Sequence, residues 1–273
     1  CVRDLMCGLE PKDFDIATDA TPEQVRKTFK ASRIIGRRFK LVHVFNRSEL
    51  IEVATFRSGE DSSNNGNLIK DTSGKIIRDN IWGDLEQDTY RRDFTVNALY
   101  YCPISQKIVG HKDGMKHIHE KSIVSIGDPV KRFSEDPVRS LRAIRFSNKL
   151  NFKIDKDIKE AIYEKGHLLS DISNARLFDE FCKIFLSGMA EKNFNKLSSY
   201  GLSKYLISTD SERSEFTRNL IVESLRNTDK RLMNDQSITP GFLIAALLWP
   251  GLIERSLSKG CLLYTSPSPR DNG

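Results

Sequence analysis

The sequence predicts an α+β head over residues 1–127, followed by an all-helical segment over residues 128–260. Three observations carry this. Runs rich in β-branched and aromatic residues, which favour strands, fall before residue 127. From Asp136 onward, apolar residues recur at helical spacing and no strand is evident. The composition, 38% hydrophobic and 29% charged over 273 residues, belongs to a chain that buries a core. Strands followed by helices, without regular alternation, give α+β rather than a doubly wound sheet.

The elements follow in order. Thr21-Pro22-Glu23-Gln24 starts a helix, with Thr as N-cap, Pro at the first position and Gln three residues on. That helix should run to about Lys30. Residues 40–45 and 50–56 read as strands. The polar stretch 58–74, with Ser-Ser-Asn-Asn-Gly inside it, reads as a mobile loop. Residues 94–101 are predicted helical, and 107–109 and 122–125 are short strands around a glycine turn. Asp136-Pro137 opens an amphipathic helix. Val138, Leu141, Ile144 and Leu150 share one face, and Arg139, Arg142 and Arg145 recur every three residues on another. Residues 158–169, 175–186, 194–200, 216–225 and 242–249 complete the helical segment. The tail, 261–273, differs in composition and resembles the translation of a sequencing-library adapter, so it is expected to be non-native. The first residue is Cys, not Met, and the chain is expected to be clipped at both ends.

The net charge is +6 and the pI about 9.0. The excess sits in the first 150 residues, with 26 basic and 21 acidic side chains. Between Gln24 and Ser48 there are eight bases and no acid: Arg26, Lys27, Lys30, Arg33, Arg37, Arg38, Lys40 and Arg47. Such a field suits a polyanion, either nucleic acid or a nucleoside triphosphate. Five cysteines, none in C-x-x-C spacing, argue against a disulfide framework or zinc knuckle and fit a reducing cytoplasm. The longest apolar run, 242–249, falls short of the ~20 residues that cross a bilayer, so no membrane partner is expected.

Asp13-Phe14-Asp15 is the sharpest local signal. On an extended strand, residues two apart share a face, so both carboxylates project together while Phe14 turns into the core. Paired hard oxygens suit Mg²⁺. Glu52, on the polar side of an apolar strand, would complete the set if the two strands are neighbours. Arg91-Arg92-Asp93-Phe94-Thr95-Val96-Asn97 supplies donors for phosphate oxygens and polar groups for ribose hydroxyls. Asp136 and Arg139 can mimic the pairing edge of a base. An acid that accepts from an exocyclic amine, beside an arginine that donates to a ring nitrogen, selects A and C over G and U. It leaves A and C unseparated. No G-x-x-x-x-G-K-[ST], G-x-G-x-x-G or G-x-S-x-G motif is present. His117 and His119 lie two apart on a strand or turn, without further ligands at zinc spacing.

Taken in order, 2–8, 12–18, 51–57, 78–80, 91–98, 126–129 and 135–146 resemble the class II nucleotidyltransferases of the polymerase-beta superfamily. The class holds bacterial poly(A) polymerases and CCA-adding tRNA nucleotidyltransferases. The likeness covers residues 1–255. Residues 36–44, 225–235 and 239–249 look more like the bacterial poly(A) polymerases. The resemblance implies a polymerase-beta-like head with a mixed, five-stranded sheet, then a helical neck and the start of an RNA-binding body. It implies AMP transfer from ATP to RNA 3′ ends with two Mg²⁺ ions. Asp13 and Asp15 would be metal ligands, Glu52 the third carboxylate, and Asp93 a further acid of the catalytic set. Arg3, Asp4, Arg91, Arg92 and Asn97 would surround the triphosphate and ribose. Asp136 and Arg139 would read the base, supported by Arg142 and Arg145. RNA and ATP are the implied partners, DNA is not expected, and RNA-degradation machinery is a candidate. The family's Gly-Gly pair would fall before Cys1, and its remaining helical body lies beyond this chain. Two rival readings stand beside this one: a CCA-adding enzyme, and a non-catalytic RNA-binding protein on the same fold.

Overall fold

The computed structural model describes residues 1–11, 14–36, 40–47, 49–58, 68–70, 76–79, 82–207 and 215–258. The chain divides into two compact units. One comprises Cys1–Arg132 with Phe152–Ile158, the other Phe133–Asn151 with Lys159–Gly273.

The first unit is built on a four-stranded sheet of β1 (Ile16–Thr18), β2 (Ser32–Ile35), β3 (Leu41–Asn46) and β4 (Glu49–Thr55) in the order β1-β4-β3-β2. β1 runs parallel to β4 and the other pairs are antiparallel, so the sheet is mixed. Period-2 alternation sets its two faces. Val42, Val44 and Val53 point one way and bury against Val25, with Ile34 and Ile51 packed alongside. Each such valine contributes about 1.5–3 kcal/mol of transfer free energy. Val25 comes from α2 (Pro22–Thr28), which packs on that face. The predicted capping box holds its first turn: the Gln24 N–H donates to Thr21 Oγ1 at 3.3 Å, and the Thr21 N–H donates to Gln24 Oε1 at 2.7 Å. The register puts Arg33, His43, Phe45, Leu50 and Glu52 on the opposite face.

Around the sheet lie α1 (Val2–Met6), a hairpin of β5 (Leu68–Lys70) and β6 (Ile76–Asp79), and α3 (Leu85–Tyr90). A second hairpin pairs β7 (Leu99–Cys102) with β8 (Lys107–Gly110). It is followed by α4 (Gly114–His119), β9 (Ser122–Ile123) and α5 (Pro129–Glu135). Gly110, at φ +123°, ends β8 opposite Leu99, where an added Cβ would sit 2.2 Å from the Ala98 carbonyl oxygen. The expected result of Gly110→Ala is a loss of about 2–4 kcal/mol, from forbidden backbone geometry plus overlap with rigid main chain. A urea melt reads it; an unchanged midpoint refutes it.

In the second unit, α6 (Val138–Leu150), α8 (Asn174–Phe185) and α9 (Ala190–Ser199) pack around Leu141, Ile144, Ile184, Phe185, Phe194 and Leu197, all essentially inaccessible to solvent. The predicted apolar face of α6 is buried throughout. Asn148 donates to Asn193 at 2.8 Å and Asn193 to the Ile184 carbonyl at 2.7 Å, so the buried amides fix one register between the helices. Asp229 on α10 (Glu215–Met233) accepts from the N–H groups of Ala190 and Glu191 at 2.7 and 3.1 Å, capping α9 from another helix. α11 (Pro240–Ser258) packs on α10. α7 (Lys156–Lys165) crosses the boundary between the units. Among the described residues, no helix is long and apolar enough to cross a membrane.

The structure corrects several expectations. The sheet has four strands among the described residues, not five, because β1 pairs on one side only. Residues 94–101 are not helical: a short 3-10 turn over Thr95–Asn97 leads into β7, whose Leu-Tyr-Tyr-Cys side chains suit a pleated surface. His117 and His119 lie on helix α4, and His117 Nδ1 pairs with Thr95 Oγ1 at 2.8 Å. A strand does occur after Asp136: β10 (Lys153–Ile154) adds parallel to β9, too short to show an alternating pattern. Phe14 is 63% exposed rather than buried, because the strand begins only at Ile16 and Phe14 precedes the sheet edge. Of the stretch 58–74, Leu68–Lys70 forms β5; residues 59–67 and 71–74 lie outside the described residues, as does the tail 261–273.

Candidate active site

The parallel pairing of β1 with β4 sets Ile16 beside Val53. Asp15 and Glu52 each precede that pair by one residue: Glu52 lies on β4, and Asp15 is the residue just before β1. Both are exposed. Across β3, His43 stands opposite Glu52, and their side chains meet with His43 Nε2 3.2 Å from Glu52 Oε1. Asp13 lies outside the described residues. Exposed carboxylates such as these are hard, anionic oxygen donors, the ligand chemistry that Mg²⁺ takes.

The predicted Arg-Arg-Asp turn forms a second polar centre in the same unit, and its hub was not foreseen. Asp88, on the last turn of α3 and only 2% exposed, accepts from Arg91 Nε at 2.8 Å and from Arg92 Nη2 at 3.1 Å. The same carboxylate accepts from the Tyr100 hydroxyl at 2.5 Å and the Arg57 N–H at 3.2 Å. Burial opposes its ionisation, but the Arg91 and Arg92 charges outweigh that and hold the carboxyl below its ordinary range. Burial is also the main cause that pushes the Tyr100 hydroxyl up to about 12. The Arg92 guanidinium lies 5.5 Å from the centre of the Tyr100 ring. From α5, Arg132 Nη2 donates to the Arg91 and Arg92 carbonyls at 2.7 and 2.8 Å, fixing the backbone of the pair. The Ile126-Gly-Asp-Pro129 motif starts α5: Gly127 takes φ +76° and Asp128 Oδ1 accepts from the Val130 N–H at 3.0 Å.

Four predicted residues join in one chain of hydrogen bonds. Asp93, 7% exposed, accepts from the Phe94 N–H at 2.8 Å and from Asn97 Nδ2 at 2.9 Å. Asn97 Oδ1 accepts from Arg3 Nη1 at 2.5 Å, and Arg3 Nε donates to Asp4 at 2.7 Å. This network ties α1 to the turn after α3.

In the second unit, Asp136 Oδ1 accepts from the Val138 N–H at 3.2 Å, starting α6, and Oδ2 accepts from Arg176 at 2.6 Å. Arg139 pairs with Glu135 at 3.1 Å. Arg145 pairs with the buried Glu180 at 3.6 Å, and Arg142 and Arg145 both lie over the Phe146 ring, at 5.3 and 4.4 Å. Arg176 was missed because no local pattern links it to a residue 40 positions away.

Comparison with known proteins places this arrangement. Residues 1–124 match the family described as "Poly A polymerase head domain". Residues 151–209 match the one described as "Probable RNA and SrmB-binding site of polymerase A". Poly(A) polymerase I of Haemophilus influenzae is 43% identical over 263 residues, covering 93% of this chain and 58% of that protein. A CCA-adding enzyme of Lactococcus lactis is 34% identical over 208 residues, covering 75% of this chain and 50% of that protein. Among solved structures, the Bacillus stearothermophilus CCA-adding enzyme in complex with CTP superposes with TM-score 0.66 at 27% identity, over 94% of this chain and 64% of that one. The chain thus spans somewhat more than half the length of the poly(A) polymerases it matches. On the head-domain match and the 43% identity over 93% of its length, the chain belongs to the bacterial poly(A) polymerase family of nucleotidyltransferases.

Proposed function

We propose that the protein transfers AMP from ATP to the 3′-hydroxyl of RNA without a template and releases pyrophosphate. The observation that carries this is the 43% identity to poly(A) polymerase I over nearly the whole chain, against 34% over a shorter span for CCA-adding enzymes. In this reading Asp13 and Asp15, with Glu52, hold two Mg²⁺ ions. When bound, the ions supply activation of the attacking oxygen and charge stabilisation on the leaving group. The chain's own residues position the reactants. Arg91 and Arg92, presented by Asp88 and Arg132, face the triphosphate with charge. Asn97, oriented by Asp93 and Arg3, takes a ribose hydroxyl. Asp136 accepts from the adenine amine while Arg139 donates to the ring nitrogen. Arg176 on one carboxylate oxygen fixes the rotamer of Asp136, and Arg142 and Arg145 support that helix. The setting is the bacterial cytoplasm, in keeping with the free thiols of Cys1, Cys7, Cys102 and Cys182. Association with RNA-degradation machinery has no support among these observations and forms no part of the reading.

The test uses the full-length protein with Mg²⁺, each nucleotide singly, and two acceptors: a generic RNA and a tRNA lacking its CCA end. Long ladders from ATP on the generic RNA are expected. Two cytidines and one adenosine, confined to the tRNA, would establish the CCA-adding alternative. No incorporation from any nucleotide, with RNA binding intact, would establish the non-catalytic one. A further expected result concerns selection. Asp136→Asn replaces one acceptor oxygen with a donor, and should cut the preference of kcat/KM for ATP over GTP by roughly 10- to 100-fold. An unchanged ratio removes Asp136 from base reading.

A further inference from the structure

The acid-free stretch 24–48 is not used by the transfer chemistry, and the sheet register gives it a place. Glu52 pairs with His43 across β4 and β3, and His43 pairs with Arg33 across β3 and β2. Asp15 extends that line at the β1 edge. One row on the open sheet face, away from α2, therefore reads Asp15, Glu52, His43, Arg33. The next row on the same face holds Leu50 and Phe45, which are paired and each 50% exposed. The Phe45 N–H donates to the Ala31 carbonyl at 2.9 Å, two residues after Phe29, which is 49% exposed. Arg47, in the turn after β3, closes that end.

Arg33, on that row, and Arg47, in the turn after β3, are exposed, and neither makes an ion pair among the described residues. Arg26 and Lys27 lie on α2, on the other face. Glu49 pairs with Asn46, whose register places both on the other face from Phe45. Uncommitted cations interleaved with exposed aromatic rings suit one ligand class above others: a single-stranded nucleic acid, whose bases stack on the rings while its phosphates meet the cations. An acidic protein surface would match the charges but has no need of exposed phenylalanine rings in a field this positive.

Building on the nucleotidyl-transfer reading, we infer that the open face from Glu52 to Phe45, Phe29 and Arg33 is a track for single-stranded RNA leading to the carboxylates. It lies outside residues 151–209, the segment matching the RNA-binding family. Phe45 stacks on a base a short step from the carboxylate row, Phe29 offers a second ring, and Arg33 and Arg47 meet phosphates.

The test measures binding of a fluorescein-labelled oligoadenylate with a free 3′-hydroxyl to the full-length protein, by anisotropy, in EDTA and without nucleotide. Phe45→Ala should weaken binding about 10-fold or more. Phe45→Tyr should bind like wild type, and Phe45→Leu like the alanine variant. Arg33→Ala should reduce the steepness of log Kd against log salt by about 0.7, the effect of one single-strand phosphate contact. In AMP addition, KM for RNA should rise in step with Kd while kcat at saturating RNA and KM for ATP hold. Unchanged affinity and salt slope in both Phe45→Ala and Arg33→Ala overturn the track. Full rescue by leucine also overturns it, since the site would then be an apolar contact of another kind. Binding is read without metal or nucleotide, so a failure to add AMP would sink the transfer reading and leave this test standing.

Discussion

Asp15→Asn in the full-length protein is expected to lower AMP addition by about 10³-fold or more while leaving RNA affinity within about twofold. The substitution keeps shape and removes the anionic oxygen. A lost factor of 10³ corresponds to about 4 kcal/mol at the transition state, within what a mispositioned metal costs in phosphoryl transfer. Asp15 is exposed at the edge of the sheet, so the change should cost little stability. RNA affinity is held by cations elsewhere, and removing a negative charge tightens it slightly if anything. Single-turnover addition at saturating ATP and Mg²⁺ makes the measurement, with anisotropy in EDTA as the binding control. Near-normal transfer would remove Asp15 from the metal set. Glu52→Gln is the companion: it removes the negative charge from the carboxylate row while a hydrogen bond to His43 can persist, so a loss comparable to that of Asp15→Asn is expected.

The sequence was legible where the signal is local. The Thr21 capping box, the β3 and β4 runs and the apolar face of α6 are patterns of period 2 or 3.6, and each formed as read. Glu52 lies on a strand that was predicted, whereas Asp15 precedes β1 instead of lying within the strand supposed for it. What escaped was short or distant. β2 is Ser-Arg-Ile-Ile, with no clean alternation, and β10 is two residues whose stability comes from β9 rather than from their own pattern. Leu99–Cys102 read as helix because the preceding Thr-Val-Asn does turn, but only for one 3-10 turn. Phe14 was assigned to the core on the assumption that the strand already spans it. Arg176 and Arg132 act across 40 or more residues and leave no local trace. Asp88 did leave one: acid at i with arginines at i+3 and i+4 is the spacing of helix ion pairs. No element was assigned over residues 85–90, and the burial of Asp88 depends on Tyr100 and the Arg57 backbone, contributed from elsewhere in the chain.

That burial makes Asp88 the position where a single change should cost the fold most. Its carboxylate meets Arg91, Arg92, the Tyr100 hydroxyl and the Arg57 N–H, and its side chain is 2% exposed. Asp88→Ala strands two guanidinium groups, a hydroxyl and an amide around a small void. Breaking a fully buried charge pair from one side costs about 3–5 kcal/mol; here the Arg91 and Arg92 side chains are 29% and 38% exposed and partly solvated, so the low end, about 3 kcal/mol, is expected. Asp88→Asn keeps the shape and some hydrogen bonds and should cost less. Asp88→Ala should also slow AMP addition, since Arg91 and Arg92 lose the anchor that aims them. The pH dependence has a definite sign. The folded-state pKa of Asp88 lies below its unfolded value, so the stabilisation is fully present above the ordinary aspartate range near 4 and fades as pH falls through the lower folded value. Tyr100 acts at the other end. Its pKa is raised to about 12, so stability holds below the ordinary tyrosine value near 10 and declines between there and about 12. Urea midpoints across pH should therefore show an acid limb that flattens in Asp88→Ala and an alkaline limb that flattens in Tyr100→Phe. An acid limb of equal steepness in wild type and Asp88→Ala would mean that the cluster does not hold Asp88 in its ionised form, and that the two arginines are aimed by Arg132 alone.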